Sequence, residues 1–422
     1  MKADFAVINA GQLITAAGYS ERPKRGPELN ELGIINDGAV AAKEGLIVAA
    51  GSTADVMKQV ELTGDAMLID AGGKVVLPGL VDPHTHLVFA GSREDEFEMK
   101  IKGAAYLDIL ARGGGILSTV RSTRAAGEDE LIRIGEKYLA EMLSQGTTTA
   151  EVKSGYGLTV ADELKQLRAI RSLQKMQPVE LVPTFLGAHA IPEEYKGKPD
   201  AFVELVIGEM LPAVACSGLA ECCDVFCEEG VFSVEQSRRV LEAARKLGFA
   251  LKLHADEIVP LGGAELAVEL GALSADHLVA VTPRGIERLA ASNTVAVLLP
   301  ATTFCLMGSK YAPAREMIAA GVAVALAGDF NPGSSPVNSL PVVMGIACRQ
   351  LKMTPAEAIS AVTINAAHAI GRASELGSIE VGKKADLVIF DAADYRSIAY
   401  RFGTNLVDKV IKAGRLVAGG KS

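Results

Sequence analysis

Two histidines one residue apart, His84 and His86, close an apolar run over residues 75–91 that passes through Pro78-Gly79. On an extended chain side chains alternate, so residues two apart share a face. His84 and His86 therefore aim two imidazoles at one point, while Thr85 faces the other way. Imidazole suits zinc, iron and nickel, so the pair is half of a metal site. An isolated His-x-His is equally compatible with two polar residues at a strand end. What decides is whether the chain supplies the missing ligands.

The elements that would position such ligands follow Pro78, where apolar strands begin to alternate with helical stretches. That is the grammar of a parallel sheet with crossover helices. Eight strand candidates span 80–86, 147–153, 181–189, 222–228, 250–254, 272–277, 295–300 and 322–329. Helices are predicted at 128–144, 161–174 and 234–247, with a further one over 354–371. Eight strands over about 290 residues fit an α/β fold of the (β/α)8 TIM type. An open doubly wound sheet is the alternative, but no phosphate-binding glycine fingerprint follows the first strand, and Gly113-Gly114-Gly115 reads as a flexible loop. The flanks, 1–78 and 373–422, read as short β segments, with an exposed loop at 20–33. Neither flank alone has enough strands to bury a core, so both ends are expected to pair in one small composite β-sandwich domain. Residues 79–372 then form the catalytic barrel.

Functional groups in barrels of this kind sit at the C-terminal ends of strands. Those ends carry His84, His86, Lys153, His189, Glu228, His254, His277 and Asp329. Five of the six histidines collect there, which hydrogen-bonded core histidines have no reason to do. The natural ligand set is His84, His86, His254 and Asp329, with a water completing the shell. A metal held there lowers the pKa of that water to about 7. Asp329 can touch the metal and accept the water's proton; its other reading is a helix cap or turn ahead of Phe330-Asn331-Pro332-Gly333.

Composition excludes several classes. A net charge of −9 argues against nonspecific binding of nucleic acid or an anionic membrane, though not against an anionic small-molecule substrate. No apolar run reaches the ~20 residues of a membrane helix, and no signal-peptide pattern opens the chain, so a cytoplasmic protein is expected. The six cysteines form no framework and are expected as reduced thiols; Cys222, Cys223 and Cys227 lack the second pair a zinc knot requires.

With His-Thr-His on strand one, single histidines on strands five and six and Asp on strand eight, the chain resembles the amidohydrolase superfamily. The closer resemblance, over essentially the full length, is to the imidazolonepropionase family. It is carried by the runs at 81–93 (Val-Asp-Pro-His-Thr-His-Leu-Val-Phe-Ala-Gly-Ser-Arg), 147–157, 185–192, 253–257, 274–278 and 329–335. The resemblance implies metal-dependent hydrolysis of the ring C–N bond of 4-imidazolone-5-propanoate, with zinc or iron bound by His84, His86, His254 and Asp329. It implies substrate contacts from Arg93, Tyr156, His189, Glu257, Asn331, Gly333 and Ser334, and a homodimer. Bottom-up chemistry agrees, since a guanidinium and a phenol can fix a carboxylate. Tyr106 is a weaker third anchor, better read as packing its helix.

In the expected mechanism His277 donates a hydrogen bond to the oxyanion and Glu257 holds a ring nitrogen or moves a proton to it. Relatives with two metals bridge them by a carboxylated lysine on strand four, where this chain has none. One metal per chain is the expectation, with Lys153 in a salt bridge to Glu151 or a neighbour, and Glu228 or Cys227 as lesser candidates for a second metal. Another cyclic-amide hydrolase or deaminase on this scaffold, and a non-catalytic barrel, are the competing readings. The first differs only in its loops; the second should have lost a ligand, and none is missing.

Overall fold

The computed structural model describes residues 1–103 and 114–419, so the expectation for Tyr106 lies outside the described residues. Among the described residues sixteen strands divide between two sheets. The barrel sheet runs β6 (Leu80–Asp82), β7 (Thr147–Lys153), β8 (Glu180–Ala188), β9 (Cys222–Cys227), β10 (Ala250–Ala255), β11 (Ser274–His277), β12 (Val295–Leu298) and β13 (Val324–Leu326). Each pairs in parallel with the next in sequence, the order that right-handed βα units generate. The barrel closes beyond the formal strands. The backbone N–H of Asp329 donates to the His84 carbonyl (3.0 Å) and that of His86 to the Phe330 carbonyl (2.9 Å), with Thr85 bridging Phe330. Closure thus occurs at the residues the sequence marks for chemistry.

The helices follow their apolar period. Glu128–Ser144 opens with three acidic residues, favoured at the positive end of the helix dipole, and buries Leu131, Gly135, Leu139 and Met142. Gly135 is a contact point, because a β-carbon there would come within 2.6 Å of Leu173 on the neighbouring helix Val160–Met176. The predicted helix over 354–371 is two, Pro355–Ala361 and Ile364–Ala369. At the break the Thr363 hydroxyl donates to the Ile359 carbonyl (2.6 Å), which also accepts the Val362 N–H (3.2 Å).

The chain ends do pair. β1 (Lys2–Ile14), β2 (Ile34–Lys43), β3 (Leu46–Ser52), β4 (Glu61–Asp70) and β5 (Val75–Pro78) join β14 (Leu387–Phe390), β15 (Val407–Lys412) and β16 (Arg415–Gly419) in one mixed sheet. The seam is the antiparallel ladder of β5 with β14, Val76 opposite Ile389 and Leu77 opposite Val388. Alternation gives the sheet two apolar faces: Phe5, Val7 and Leu13 pack with Ile389 and Ile411, while Ala3 and Ala6 face Val56 on the helix Thr53–Gln59. The chain passes between sheets at Gly79, where a β-carbon would lie 2.2 Å from the Thr148 hydroxyl.

The loop at 20–33 is not the exposed excursion expected. Pro23, Lys24, Gly26, Leu29 and Leu32 are buried and a short 3-10 helix spans Gly26–Asn30. Asn365 holds the segment to the barrel, accepting from the Lys24 N–H (2.8 Å) and donating to its carbonyl (3.0 Å). A Pro- and Gly-bearing sequence reads as surface because its apolar residues are too few to show a period.

Candidate metal centre and substrate pocket

β6 ends at Asp82, short of the predicted His86, because Pro83 has no N–H for the ladder. The alternation nevertheless persists. Thr85 turns away and donates to the Glu151 carbonyl (2.6 Å), while His84 and His86 point inward. Their Nε2 atoms lie 3.3 Å apart, and His254 Nε2 lies 3.4 Å from that of His86. Asp329 Oδ1 stands 3.5 Å from His84 Nε2 and 3.4 Å from His86 Nε2. The four side chains come from the first, fifth and eighth strand ends and are buried.

This geometry fits a cation. A tetrahedral shell with metal–nitrogen bonds of ~2.0–2.1 Å separates neighbouring donors by about 3.3–3.4 Å. The opposite edges of two of the three imidazoles are held from outside. His84 Nδ1 donates to Asp276 Oδ2 (2.6 Å), and His254 Nδ1 lies 3.0 Å from Asp224 Oδ2. A proton on Nδ1 leaves each Nε2 with its lone pair facing another lone pair, an arrangement a metal stabilises. Burial, reinforced by the Lys153 charge, lowers His84 to about 3; burial also lowers His86 to about 4, so both imidazoles are neutral at pH 7. Burial alone would raise Asp329, but the imidazoles of His84 and His86 outweigh it and hold the carboxylate well below its usual range. Thr302, which sequence reasoning missed, donates to Asp329 Oδ2 (2.7 Å) and fixes its orientation.

Two further histidines face the same space. His277 has a buried Nε2 without a protein partner, and its Nδ1 lies 3.6 Å from Glu257 Oε1. Its backbone sits at φ 76°, as that of Asp329 does at φ 51°; strain of this kind persists where the surroundings impose a functional geometry. Burial raises Glu257, opposed by His277. His189 stacks on His86 with ring centroids 4.8 Å apart, and its Nδ1 donates to the Gly155 carbonyl (3.0 Å), leaving Nε2 toward the site. Tyr156 packs beside His86 and His189, and burial together with the Asp329 charge pushes its phenol up.

Arg93, the cation expected to meet the substrate, is tied to its own helix. Arg93 Nη2 donates to Glu96 Oε2 (2.7 Å), and Glu96 accepts in turn from the Gly115 N–H (2.9 Å). The guanidinium lies against Gly333, where a β-carbon would sit 1.8 Å from Nη1. Arg93, Asn331 and Gly333 line a cavity of about 890 Å³ with Phe89, Tyr138 and Phe330. The side chain of Asn331 is spent inside its own loop: it accepts from the Gly333 and Ser334 N–H groups (2.8 Å each) and donates to the Asp329 carbonyl and to the Ser334 hydroxyl. It shapes the loop beneath Arg93.

Lys153 forms the expected salt bridge to Glu151 (2.8 Å), and also one to Asp224 (2.7 Å) that the sequence did not disclose. Glu228, considered for a second metal, accepts instead from the N–H groups of Glu229 (2.9 Å) and Ile258 (2.8 Å). All six cysteines are free thiols.

Residues 75–417 match the Amidohydrolase family. An imidazolonepropionase of Alkaliphilus oremlandii is 55% identical over 417 residues, covering 99% of this chain and 98% of its own. That of Symbiobacterium thermophilum is 52% identical over 98% of this chain and 97% of its own. Among solved structures, the guanine deaminase of E. coli superposes with a TM-score of 0.74 at 16% identity, covering 99% of both chains. A zinc-bound adenosine deaminase of Xanthomonas campestris gives 0.72 at 20%, covering 98% of this chain and 93% of its own. These two share the fold. A match across the barrel and the later strands of its flanking sheet, joined to full-length identity above one half, places this chain in the amidohydrolase family, among the imidazolonepropionases.

Proposed function

We infer that the protein hydrolyses the ring C–N bond of 4-imidazolone-5-propanoate to N-formimidoyl-L-glutamate, a step of L-histidine degradation. The observation that carries this reading is the convergence of His84, His86 and His254 Nε2 with Asp329 Oδ1, next to a guanidinium seated on Gly333. His84, His86, His254 and Asp329 would hold the metal, zinc or iron, both of which accept imidazole and carboxylate. When bound, it polarises the ring carbonyl and supplies a nucleophilic water at neutral pH.

The chain's own groups do the rest. Asp329, oriented by Thr302, accepts the water's proton. His277 donates from Nε2 to the developing oxyanion, its ring poised by Glu257. Glu257, whose protonated form burial favours, hands a proton to the departing ring nitrogen. Arg93 and Tyr156 bind the propanoate carboxylate, and His189 with the loop Asn331, Gly333 and Ser334 lines the ring and tail. A single metal per chain is supported by the engagement of Glu228 and by the absence of a lysine on β9; two equivalents in a metal analysis would overturn it.

Buried free thiols at Cys222, Cys223 and Cys227 support a place in the reducing cytoplasm, and among the described residues no helix is long and apolar enough to cross a membrane. A homodimer completes the reading and is checked by light scattering. The decisive assay generates the unstable substrate in situ with urocanase and follows loss of the imidazolone chromophore. Turnover that a chelator abolishes and added zinc or iron restores is the expected outcome. Turnover of guanine or a dihydropyrimidine, with none on the imidazolone, would instead support a different amidohydrolase.

A further inference from the structure

Beneath the metal centre lie five charged side chains with no exposure to solvent: Lys153, Lys252, Glu151, Asp224 and Asp276. Buried charges persist only when paired, and removing one partner leaves the others uncompensated. The pairing here is uneven. Lys153 Nζ contacts Asp224 Oδ2 (2.7 Å), Glu151 Oε1 (2.8 Å) and Asp276 Oδ2 (3.8 Å). Those same two aspartate oxygens face the metal-site imidazoles: Asp276 Oδ2 accepts from His84 Nδ1, and Asp224 Oδ2 lies against His254 Nδ1. Asp224 Oδ1 also accepts from the backbone N–H of His254 (3.1 Å). Lys153 therefore stands one residue removed from two ligands on different strands. Lys252 does not. Its Nζ donates to Ser274 Oγ (2.8 Å) and to the Pro83 and Ala369 carbonyls (3.2 Å each); it reaches Asp276 Oδ2 at the same 3.8 Å as Lys153 and Glu151 Oε2 at 3.6 Å, but among the described residues it forms no ion pair with Asp224.

We propose that Lys153 is a positioning residue for the metal centre, a shared cation that sets the spacing of His84 and His254 by holding the carboxylates behind both. The proposal rests on the assignment of those histidines as metal ligands. Outer partners of ligating histidines are worth about 10–100-fold in metal affinity, and one cation serving two such partners moves both imidazoles together.

The test measures the zinc affinity of the chelator-stripped protein by competition with a chromophoric chelator, and the visible spectrum of the cobalt-loaded form. Lys153→Met should fold, bind zinc 10–100-fold more weakly and give shifted cobalt bands. Lys252→Met should lose thermal stability with wild-type cobalt bands. Unchanged zinc affinity and cobalt bands in Lys153→Met would overturn the proposal, as would equal affinity losses in the two lysine variants. Should Lys153→Met not fold, the pair Lys153→Met/Glu151→Gln removes one charge of each sign and leaves Asp224 and Asp276 in place; weak zinc binding by the folded pair, against wild-type binding by Glu151→Gln alone, supports the proposal and wild-type binding by the pair defeats it. His84→Ala separates the two layers. If that variant keeps wild-type zinc affinity, the ligand assignment itself has failed; if it loses zinc, the lysine results bear on Lys153 alone.

Discussion

At the scale of single residues, the site divides recognition from proton transfer. Gly333 contributes by lacking a side chain, since any β-carbon there occupies the space of Arg93 Nη1. Gly333→Ala should displace the guanidinium and raise KM at least ~10-fold, the worth of a charge-assisted hydrogen bond. Metal content should stay at wild-type level, so steady-state kinetics with metal analysis checks both halves. Glu257 is the proposed proton donor to the ring nitrogen. Glu257→Gln keeps its size and loses its proton transfer, so kcat should fall ~10²–10⁴-fold with KM little changed. Near-normal turnover in that variant would remove Glu257 from the mechanism and leave Asp329 to deliver the final proton.

At the scale of elements, the segment carrying Lys24 behaves as a strap between the small sheet and the barrel. Lys24 is wholly buried, with its Nζ on the Glu31 carbonyl and near Ser360 Oγ, and among the described residues no carboxylate lies within ion-pair distance. Burial pushes its ammonium down to about 8, from an unfolded value near 10.5. Between those values the unfolded chain binds more protons than the folded one, so stability from this group rises with pH. Below about pH 8 the buried charge is a full cost. Relative to Lys24→Met, the wild type should gain up to about 3 kcal/mol between pH 8 and 10.5. Urea unfolding of both proteins across that interval measures it; a constant difference would show that Lys24 keeps its ordinary titration. The barrel elements are simpler. β6 and β13 are only three residues each, and the closing hydrogen bonds come from the segments carrying His84, His86 and Asp329. The ligands therefore belong to the closure of the barrel.

At the scale of the molecule, the two chain ends share one sheet and the seam is β5 against β14. Ending the chain after residue 373 removes β14, β15 and β16, exposing the β5 edge and emptying the core positions of Leu387, Ile389 and Ile411. Such a truncation should lose cooperative thermal unfolding and aggregate, as unpaired apolar edges do. A sharp calorimetric transition in the truncated protein would show that the barrel stands without its composite sheet.

The local features were legible in the sequence because they depend on neighbours along the chain. Alternation put His84 and His86 on one side; a 3.6-residue period bounded the helix at Glu128–Ser144; strand ends collected His189, His254, His277 and Asp329 on one face. What only the tertiary structure decided are contacts between residues far apart in sequence. Asp276 lies 192 residues from His84 and Lys153 is 71 from Asp224, yet each pair meets within 2.7 Å. No periodicity records such a meeting, and a buried Lys, Asp or Thr looks in sequence like one on the surface. The burial of Lys24, the break at Thr363 and the hold of Thr302 on Asp329 were hidden for the same reason. Sequence specifies which side chains reach the mouth of the barrel; packing decides what stands behind them and holds their lone pairs on one point.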